Sequence, residues 1–222
     1  MISSRENAII IGTILGDGHL RPMKSSARLE VVHCEAQKQY VFWKYHELRR
    51  FVGATPHRIV ISDDRYQKKY VQWRFKTLMH DVFRDYRRTF HLANGRKAIP
   101  KNIASLLTSS LSLATWFMDD GGRRNDSYGL FLNTLSFTKR EHGVLRKCLK
   151  ENFSLDSRIH WIQDGYRLYI PSKDAKHFCE LVYPFIIPPM RYKLSYNPVT
   201  TSFARLDRAR DRKGTRRKQN FL

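Results

Sequence analysis

Cysteine is scarce. The 222 residues hold three, Cys34, Cys148 and Cys179, far apart and with no CxxC pair. That spacing argues against a zinc finger or a disulfide framework and suits a reducing compartment with three buried or inert thiols. Long apolar runs are missing too. None approaches the roughly 20 residues of a membrane span, and Ile9-Ile10-Ile11 soon gives way to glycines and an aspartate. The opening Met1-Ile2-Ser3-Ser4-Arg5-Glu6 lacks the charged-then-apolar pattern of a signal peptide. Acids are few: 20 Asp and Glu stand against 41 Lys and Arg, a formal net charge of +21.

What is present points elsewhere. Hydrophobic residues make up 41% and aromatics 13%, enough for a buried core, so disorder of the whole chain is excluded. A basic field of this size attracts polyanions. Nucleic acid is the first candidate, because neutralised phosphates release counterions. A basic surface of ribosomal type is the plainer alternative. An anionic membrane is weaker, since no basic amphipathic helix stands out. The excess is evenly shared: residues 1–104 carry 20 basic and 9 acidic groups, residues 105–222 carry 21 and 11. Two equivalent binding surfaces are therefore expected.

A repeat explains the even sharing. Residues 7–18 read NAIIIGTILGDG and residues 110–121 read SLSLATWFMDDG. Each is an apolar helix with small residues in its middle and Asp-Gly at its end. Ser4 or Asn7 can cap the first and Ser110 or Ser112 the second, with Gly18 and Gly121 as helix-ending residues. Hairpins follow, His19–Lys24 with Arg28–His33, and Gly122–Asn125 with Gly129–Leu135. Helices are expected over about Gln37–Val52 and Thr138–Phe153. Second hairpins pair Arg58–Ser62 with Tyr70–Phe75 around Asp63-Asp64-Arg65, and Arg158–Ile162 with Tyr166–Ile170 around Gln163-Asp164-Gly165. Closing helices span about Leu78–Phe90 and Lys173–Ile186. The joint falls near Lys97–Ser109, where Pro100 interrupts the helical pattern. The expected fold class is α+β: two pseudo-symmetric αββαββα halves, residues 1–104 and 105–204, each with a four-stranded antiparallel sheet. A basic tail, residues 205–222, completes the chain, with Arg205–Lys218 dense in Arg and Lys.

Alternation in the strands assigns faces. Val71, Trp73 and Phe75 would face a core, leaving Gln72, Arg74 and Lys76 outward. Arg158 and His160 share one face, as do Arg167 and Tyr169. Exposed Arg and Gln on a sheet can pair with guanine and adenine edges in the major groove; a merely solvated face is the bland alternative. The expected DNA-binding set is His19, Arg21, Arg28, Arg58, Gln72, Arg74, Lys76, Arg123, Arg158, His160, Arg167 and Tyr169. Trp43, Trp73 and Trp161 read as core or sheet residues rather than stacking platforms.

A helix apolar on nearly every side must be buried. Gly12 and Gly16 in one helix, and Ala114 and Thr115 in the other, allow close backbone approach. Packed side by side, the two helices would bring Asp17 and Asp120 together. Paired carboxylates repel, and a proton or a cation must relieve them. Oxygen ligands beside phosphates favour Mg²⁺, which suits phosphodiester hydrolysis. Alternatively, each Asp-Gly is only a helix-ending turn, though its recurrence at matching places argues otherwise.

Here the sequence resembles the LAGLIDADG homing endonucleases. Ile10–Gly18 and Leu113–Gly121 match the signature, and Trp116–Gly122 looks like the second motif of single-chain, intron-encoded members. Lys97-Ala98-Ile99-Pro100 and Ile187–Leu194 extend the likeness to roughly residues 5–200. The resemblance implies that Asp17 and Asp120 are metal-binding catalytic acids, with backbone carbonyls of Gly16 and Asp119 completing the coordination. It implies that Lys97 and Lys193 lie near the scissile phosphates, where they help polarise water or stabilise charge; surface lysines facing phosphate are the alternative. Family members often carry a glutamine on the strand after each motif helix. The residues here are His33, Cys34 and Glu35, then Thr134 and Leu135, and no substitute is named. By this resemblance a monomer cuts both strands of a duplex of roughly 20 bp with Mg²⁺, and the gene sits in an organellar intron of mitochondrion or chloroplast. Two rivals remain: a maturase binding group I intron RNA, with or without nuclease activity, and a regulator built on a decayed nuclease.

Overall fold

The computed structural model describes residues 1–63 and 67–200. The expected turn at Asp63-Asp64-Arg65 and the basic tail fall largely outside them. Among the described residues the repeat is realised as expected. Helix α1 (Ser4–Leu15) leads into strands β1 (His19–Pro22) and β2 (Ala27–Cys34), helix α2 (Lys38–Glu47), strands β3 (His57–Asp63) and β4 (Lys68–Lys76), and helix α3 (Asp81–Phe90). A short helix α4 (Ile103–Leu106) bridges to the second series. That series runs α5 (Ser110–Asp120), β5 (Gly121–Arg123), β6 (Leu130–Leu132), α6 (Lys139–Phe153), β7 (Arg158–Ile162), β8 (Gly165–Ile170) and α7 (Ser172–Val182). The strands form two antiparallel four-stranded sheets, ordered β1-β2-β4-β3 and β5-β6-β8-β7.

Several boundaries differ from expectation for local reasons. The cap of α1 is Ser3, not Ser4 or Asn7: its side chain accepts from the Glu6 amide while Glu6 reaches back to the Ser3 amide. Ser109, not Ser110 or Ser112, caps α5. Helix α1 ends on Gly16 rather than Gly18, so Asp17 lies just past the helix, whereas Gly121 does close α5. Helix α3 starts late, at Asp81, because the His80 ring accepts from the Val82 amide. Cys34 is exposed, against the expectation of three buried or inert thiols; burial pushes the Cys148 thiol up to about 11 and the Cys179 thiol up to about 12. Trp161 sits on β7 as a sheet residue but is 66% exposed.

The seam between the halves is α1 against α5. Residues Ala8–Leu15 and Leu111–Asp119 are buried without exception. A Cβ on Gly12 would fall 2.4 Å from the Ser112 carbonyl oxygen and 2.6 Å from Thr115 Cβ. A Cβ on Gly16 would fall 2.4 Å from Asp119 Cβ. The close-approach stripe on α5 is thus Ser112, Thr115 and Asp119, at helical spacing; Thr115 was expected, and Ala114 is not part of it.

Candidate active site and nucleic-acid interface

Because α1 and α5 pack this tightly, their C-terminal ends converge. Asp17 follows α1, and Asp119 and Asp120 end α5. The Asp17 amide donates to Asp119 Oδ2 at 3.1 Å, across the seam. Asp120 has its carboxyl pushed up to about 8, first by burial and then by the negative charges of Asp17 and Asp119. Asp17 is raised as well, by partial desolvation and then by Asp119, although its side chain keeps 48% of its surface open. The two motif ends therefore meet at one place, with Asp120 part-buried and Asp17 at its open edge.

Lysines meet this acidic centre in a matched pair. Lys97 Nζ donates to the Gly16 carbonyl at 2.7 Å. Lys193 Nζ donates to the Asp119 carbonyl at 2.7 Å and to that of Met118 at 2.5 Å. Burial lowers both ammonium groups while the surrounding aspartates raise them, with burial the larger effect. Gly16 and Asp119 hold the same place in the two motifs, so each motif carbonyl receives one lysine. A carbonyl oxygen has two lone pairs and can accept a second partner.

Lys97 is itself held in place. Arg96 pairs with Glu141 at 3.0 Å, and the Ile99 amide donates to Glu141 Oε1 at 3.1 Å. Glu141 also closes the capping box of α6 with Thr138. Burial would raise its carboxyl, but the hydrogen bonds from Arg96 and Thr138 outweigh that and hold it at about 2.

Sequence reasoning missed a buried cluster behind the aspartates. Lys44 of α2 donates to Asp119 Oδ1 at 2.6 Å, with neither side chain exposed. His33 of β2 lies against them, its Nδ1 3.6 Å from Asp17 Oδ2 and its Nε2 3.7 Å from Asp119 Oδ1. Burial and then Lys44 lower the His33 ring to about 4, so it is neutral at physiological pH. The Tyr40 hydroxyl donates to the Thr115 carbonyl at 3.0 Å. The sequence did carry a signal for Lys44: it sits at helical spacing among Tyr40, Val41 and Leu48, all buried.

The sheets place most, not all, of the expected interface residues on one face each. Directly paired residues of an antiparallel sheet project to the same side. The pairs His19–Glu30, Arg21–Arg28, Glu30–Lys76, Val32–Arg74 and Cys34–Gln72 therefore put His19, Arg21, Arg28, Gln72, Arg74 and Lys76 together. His57, opposite Arg74, joins them. Arg58 does not: it is opposite Trp73, on the reverse face, 3.9 Å from Glu35. The expectation for Arg58 has the wrong parity, since a one-residue slip exchanges faces. In the second sheet Arg158 pairs with Tyr169 and His160 with Arg167, so these four share a face with Phe131. Arg123 does not: it is opposite the buried Leu130. Arg124 takes its place, its guanidinium 5.5 Å from the Tyr169 ring centre. The same face stacks His160 on Tyr169 at 4.6 Å and sets Arg167 over Phe131 at 4.7 Å.

Two internally repeated halves, an acidic centre at their seam and a basic sheet face on each side define a nuclease scaffold that binds duplex DNA. The sequence pattern of the LAGLIDADG DNA endonuclease family matches residues 7–178, and the chain belongs to that family. It is 30% identical to probable intron-encoded endonuclease 1 of Wickerhamomyces canadensis, over 88% of this chain and 86% of that protein. It is 28% identical to DNA endonuclease I-ChuI of Chlamydomonas applanata, over 87% and 96%. Among solved structures, the homing endonuclease I-WcaI bound to its DNA recognition sequence superposes with a TM-score of 0.82 at 30% identity, covering 89% of this chain and 88% of that one. The expected α+β fold and the DNA endonuclease activity stand. No helix among the described residues is long and apolar enough to cross a membrane.

Proposed function

We propose that this protein is a monomeric homing endonuclease that cuts both strands of one duplex site of roughly 20 bp, using Mg²⁺. Residues 1–104 and 105–204 act as its two halves, each reading one arm of the site in the major groove. The observation that carries the reading is the meeting of the two motif ends, where the Asp17 amide donates to Asp119 Oδ2 at 3.1 Å and Lys97 and Lys193 each reach one motif carbonyl at 2.7 Å. Two acids brought together at the end of a tightly packed seam call for a cation, and carboxylates with carbonyl oxygens form the hard donor set that Mg²⁺ takes. Asp17, Asp120 and the Gly16 and Asp119 carbonyls would hold it. The cation supplies stabilisation of the charge that builds on the phosphodiester. Lys97 and Lys193 add positive charge beside each motif end, facing the phosphates between the two cut positions.

The face residues divide the labour. Arg21, Arg28, Arg74 and Lys76, with Gln72 and His19, meet one arm; Arg158, His160, Arg167 and Tyr169, with Arg124, meet the other. Guanidinium and amide groups can pair with base edges there. The intronless junction that flanks the host intron is the first duplex to test, and an organellar genome is the first place to look. Asp17→Asn should abolish metal-dependent cutting while leaving binding within severalfold of wild type. Full cutting by that variant defeats the assignment.

A second activity has its own support. The chain is 34% identical over 84% of its length to cytochrome b mRNA maturase bI2 of Debaryomyces hansenii, covering 72% of that protein. Splicing stimulation of the host intron, in a chain that still cuts DNA, would add RNA to its partners.

A further inference from the structure

Asp17 is held from behind in a way that Asp120 is not. Asp119 sits on the seam with its side chain fully buried, and its two carboxylate oxygens are divided between partners. Oδ1 accepts from Lys44 Nζ at 2.6 Å, and Oδ2 accepts from the Asp17 amide at 3.1 Å. Lys44 also faces His33, with Nζ 3.3 Å from Nε2. An ammonium group can only donate, so Nε2 accepts and the ring proton sits on Nδ1. Asp17 Oδ2 lies 3.6 Å from that nitrogen. The gap is beyond hydrogen-bond length, but the N–H dipole still favours a carboxylate there. Lys44 lies over the Tyr40 ring at 4.5 Å and is fully buried, so no solvent competes for its donors.

The matching place in the other half is apolar. Helices α2 and α6 begin at Lys38 and Lys139, so Lys44 and Leu145 are each the seventh residue of their helix. Burial follows the same alignment. Tyr40, Val41, Lys44 and Leu48 correspond to Glu141, His142, Leu145 and Leu149, and all eight are buried. The same spacing aligns His33 with Thr134, whose hydroxyl is engaged with His142 Nε2 at 2.7 Å. The motif residue that matches Asp119 is Gly16, which has no carboxylate to offer. Lysine, carboxylate and imidazole stand behind Asp17, and leucine, glycine and threonine hold the corresponding positions in the other half.

We propose that Lys44 is a positioning residue for Asp17 alone. Through Asp119 it fixes the backbone at the end of α1, and through His33 it turns an N–H towards the Asp17 carboxylate. It therefore governs the cut that Asp17 makes and not the one that Asp120 makes. Burying a charge is costly unless it is paired, and Leu145 shows that this position accepts an apolar side chain. Packing alone does not explain the lysine. Without it Asp119 is free to turn away from the Asp17 amide, and a small displacement of a catalytic group is enough to slow chemistry.

The inference rests on the nuclease reading, in which each motif acid serves one strand, and the test separates the two. The full chain is given a duplex recovered from a randomised pool by binding in chelator. Each strand is labelled in turn, and single-turnover cutting is followed with Mg²⁺. A disulfide from Asp17→Cys to a thiol placed at one or the other mapped cut position assigns the strands. Lys44→Met combined with Asp119→Asn removes both buried charges together. Relative to wild type it should cut the Asp17 strand more slowly by on the order of tenfold and leave the other strand near its wild-type rate, so nicked duplex accumulates. Asp119→Asn alone, the milder change, should give the same bias at smaller size. Leu145→Ala disturbs packing at the matching place and should leave the ratio of the two rates unchanged. Equal slowing of both strands, a bias against the Asp120 strand, or the same bias from Leu145→Ala overturns the positioning role and leaves the nuclease intact. A wild-type chain that cuts neither strand overturns both.

Discussion

Lys44 of α2 and Asp119 of α5 meet at 2.6 Å across the seam between the halves, and both side chains are fully buried. The pair ties the first half's α2 to the second half's motif helix at the point where the aspartates gather. A buried ion pair is weak evidence of net stabilisation, because desolvation offsets its attraction. Breaking one partner is costly, because a lone charge is left in a place without water.

Lys44→Met should therefore destabilise the protein by about 3–5 kcal/mol, read by denaturant unfolding. Adding Asp119→Asn should restore part of that loss, since the unpaired charge is gone. A single variant within about 1 kcal/mol of wild type would mean that the pair behaves like a surface contact.

The α1–α5 seam predicts a steric penalty at Gly12. An added Cβ meets the Ser112 carbonyl at 2.4 Å, backbone that cannot swing aside. Gly12→Ala should cost about 1–3 kcal/mol and reduce cutting by moving the two motif ends apart. Unchanged melting together with unchanged cutting would contradict the packing.

The Asp120 carboxyl predicts a pH dependence with a definite sign. The unfolded chain releases this proton near pH 4, and the folded one holds it to about 8. Between those values the folded state binds more protons, so this group makes stability fall as pH rises, levelling above about 8. Asp120→Asn removes the effect. Its melting temperature relative to wild type should climb by several degrees from pH 5 to pH 8 in chelator, and a flat difference across that range would refute the shift.

Glu141 predicts the opposite slope. Its carboxyl is held at about 2, below the unfolded value near 4.3. The stability it contributes is complete above that value and is lost as pH falls towards about 2. Glu141→Gln should be least stable relative to wild type at neutral pH and converge with it in acid. Because Arg96 and Ile99 flank Lys97, the variant should also cut more slowly at unchanged DNA affinity; loss of binding instead would place Glu141's effect on the interface.

The sheet faces separate two arginines by a single position of register. Arg74→Ala or Arg167→Ala should weaken target binding by about 1–3 kcal/mol if the side chain reads a base, or lower the salt slope by about one if it meets a phosphate. Arg58→Ala, on the reverse face, should do neither. Gel-shift titrations at several salt concentrations decide, and an Arg58 effect as large as that of Arg74 would reverse the facing.

Much of this was readable without coordinates. Two Asp-Gly helix ends at domain spacing, a shared basic excess and doubled hairpins follow from periodicity and turn chemistry, which act over a few neighbouring residues. The errors were also local. Adjacent serines offered equivalent caps, and short strands left face parity open at Arg58 and Arg123. The sequence puts His33 where a glutamine is common, but the residues around it come from distant parts of the chain.

The amino-acid sequence alone marked the elements, the two halves and the Asp-Gly ends at Asp17 and Asp120 through their immediate surroundings in the chain, while Lys97 and Lys193 came only from the family resemblance. Only the tertiary structure decided that Asp119 points its carboxylate to Lys44, that Lys97 and Lys193 each serve one motif carbonyl, and that the two centres differ at His33 and Thr134. The lysine contacts join residues 74 to 81 positions apart, and burial and distance, which set their charge and chemistry, exist only once the chain has folded.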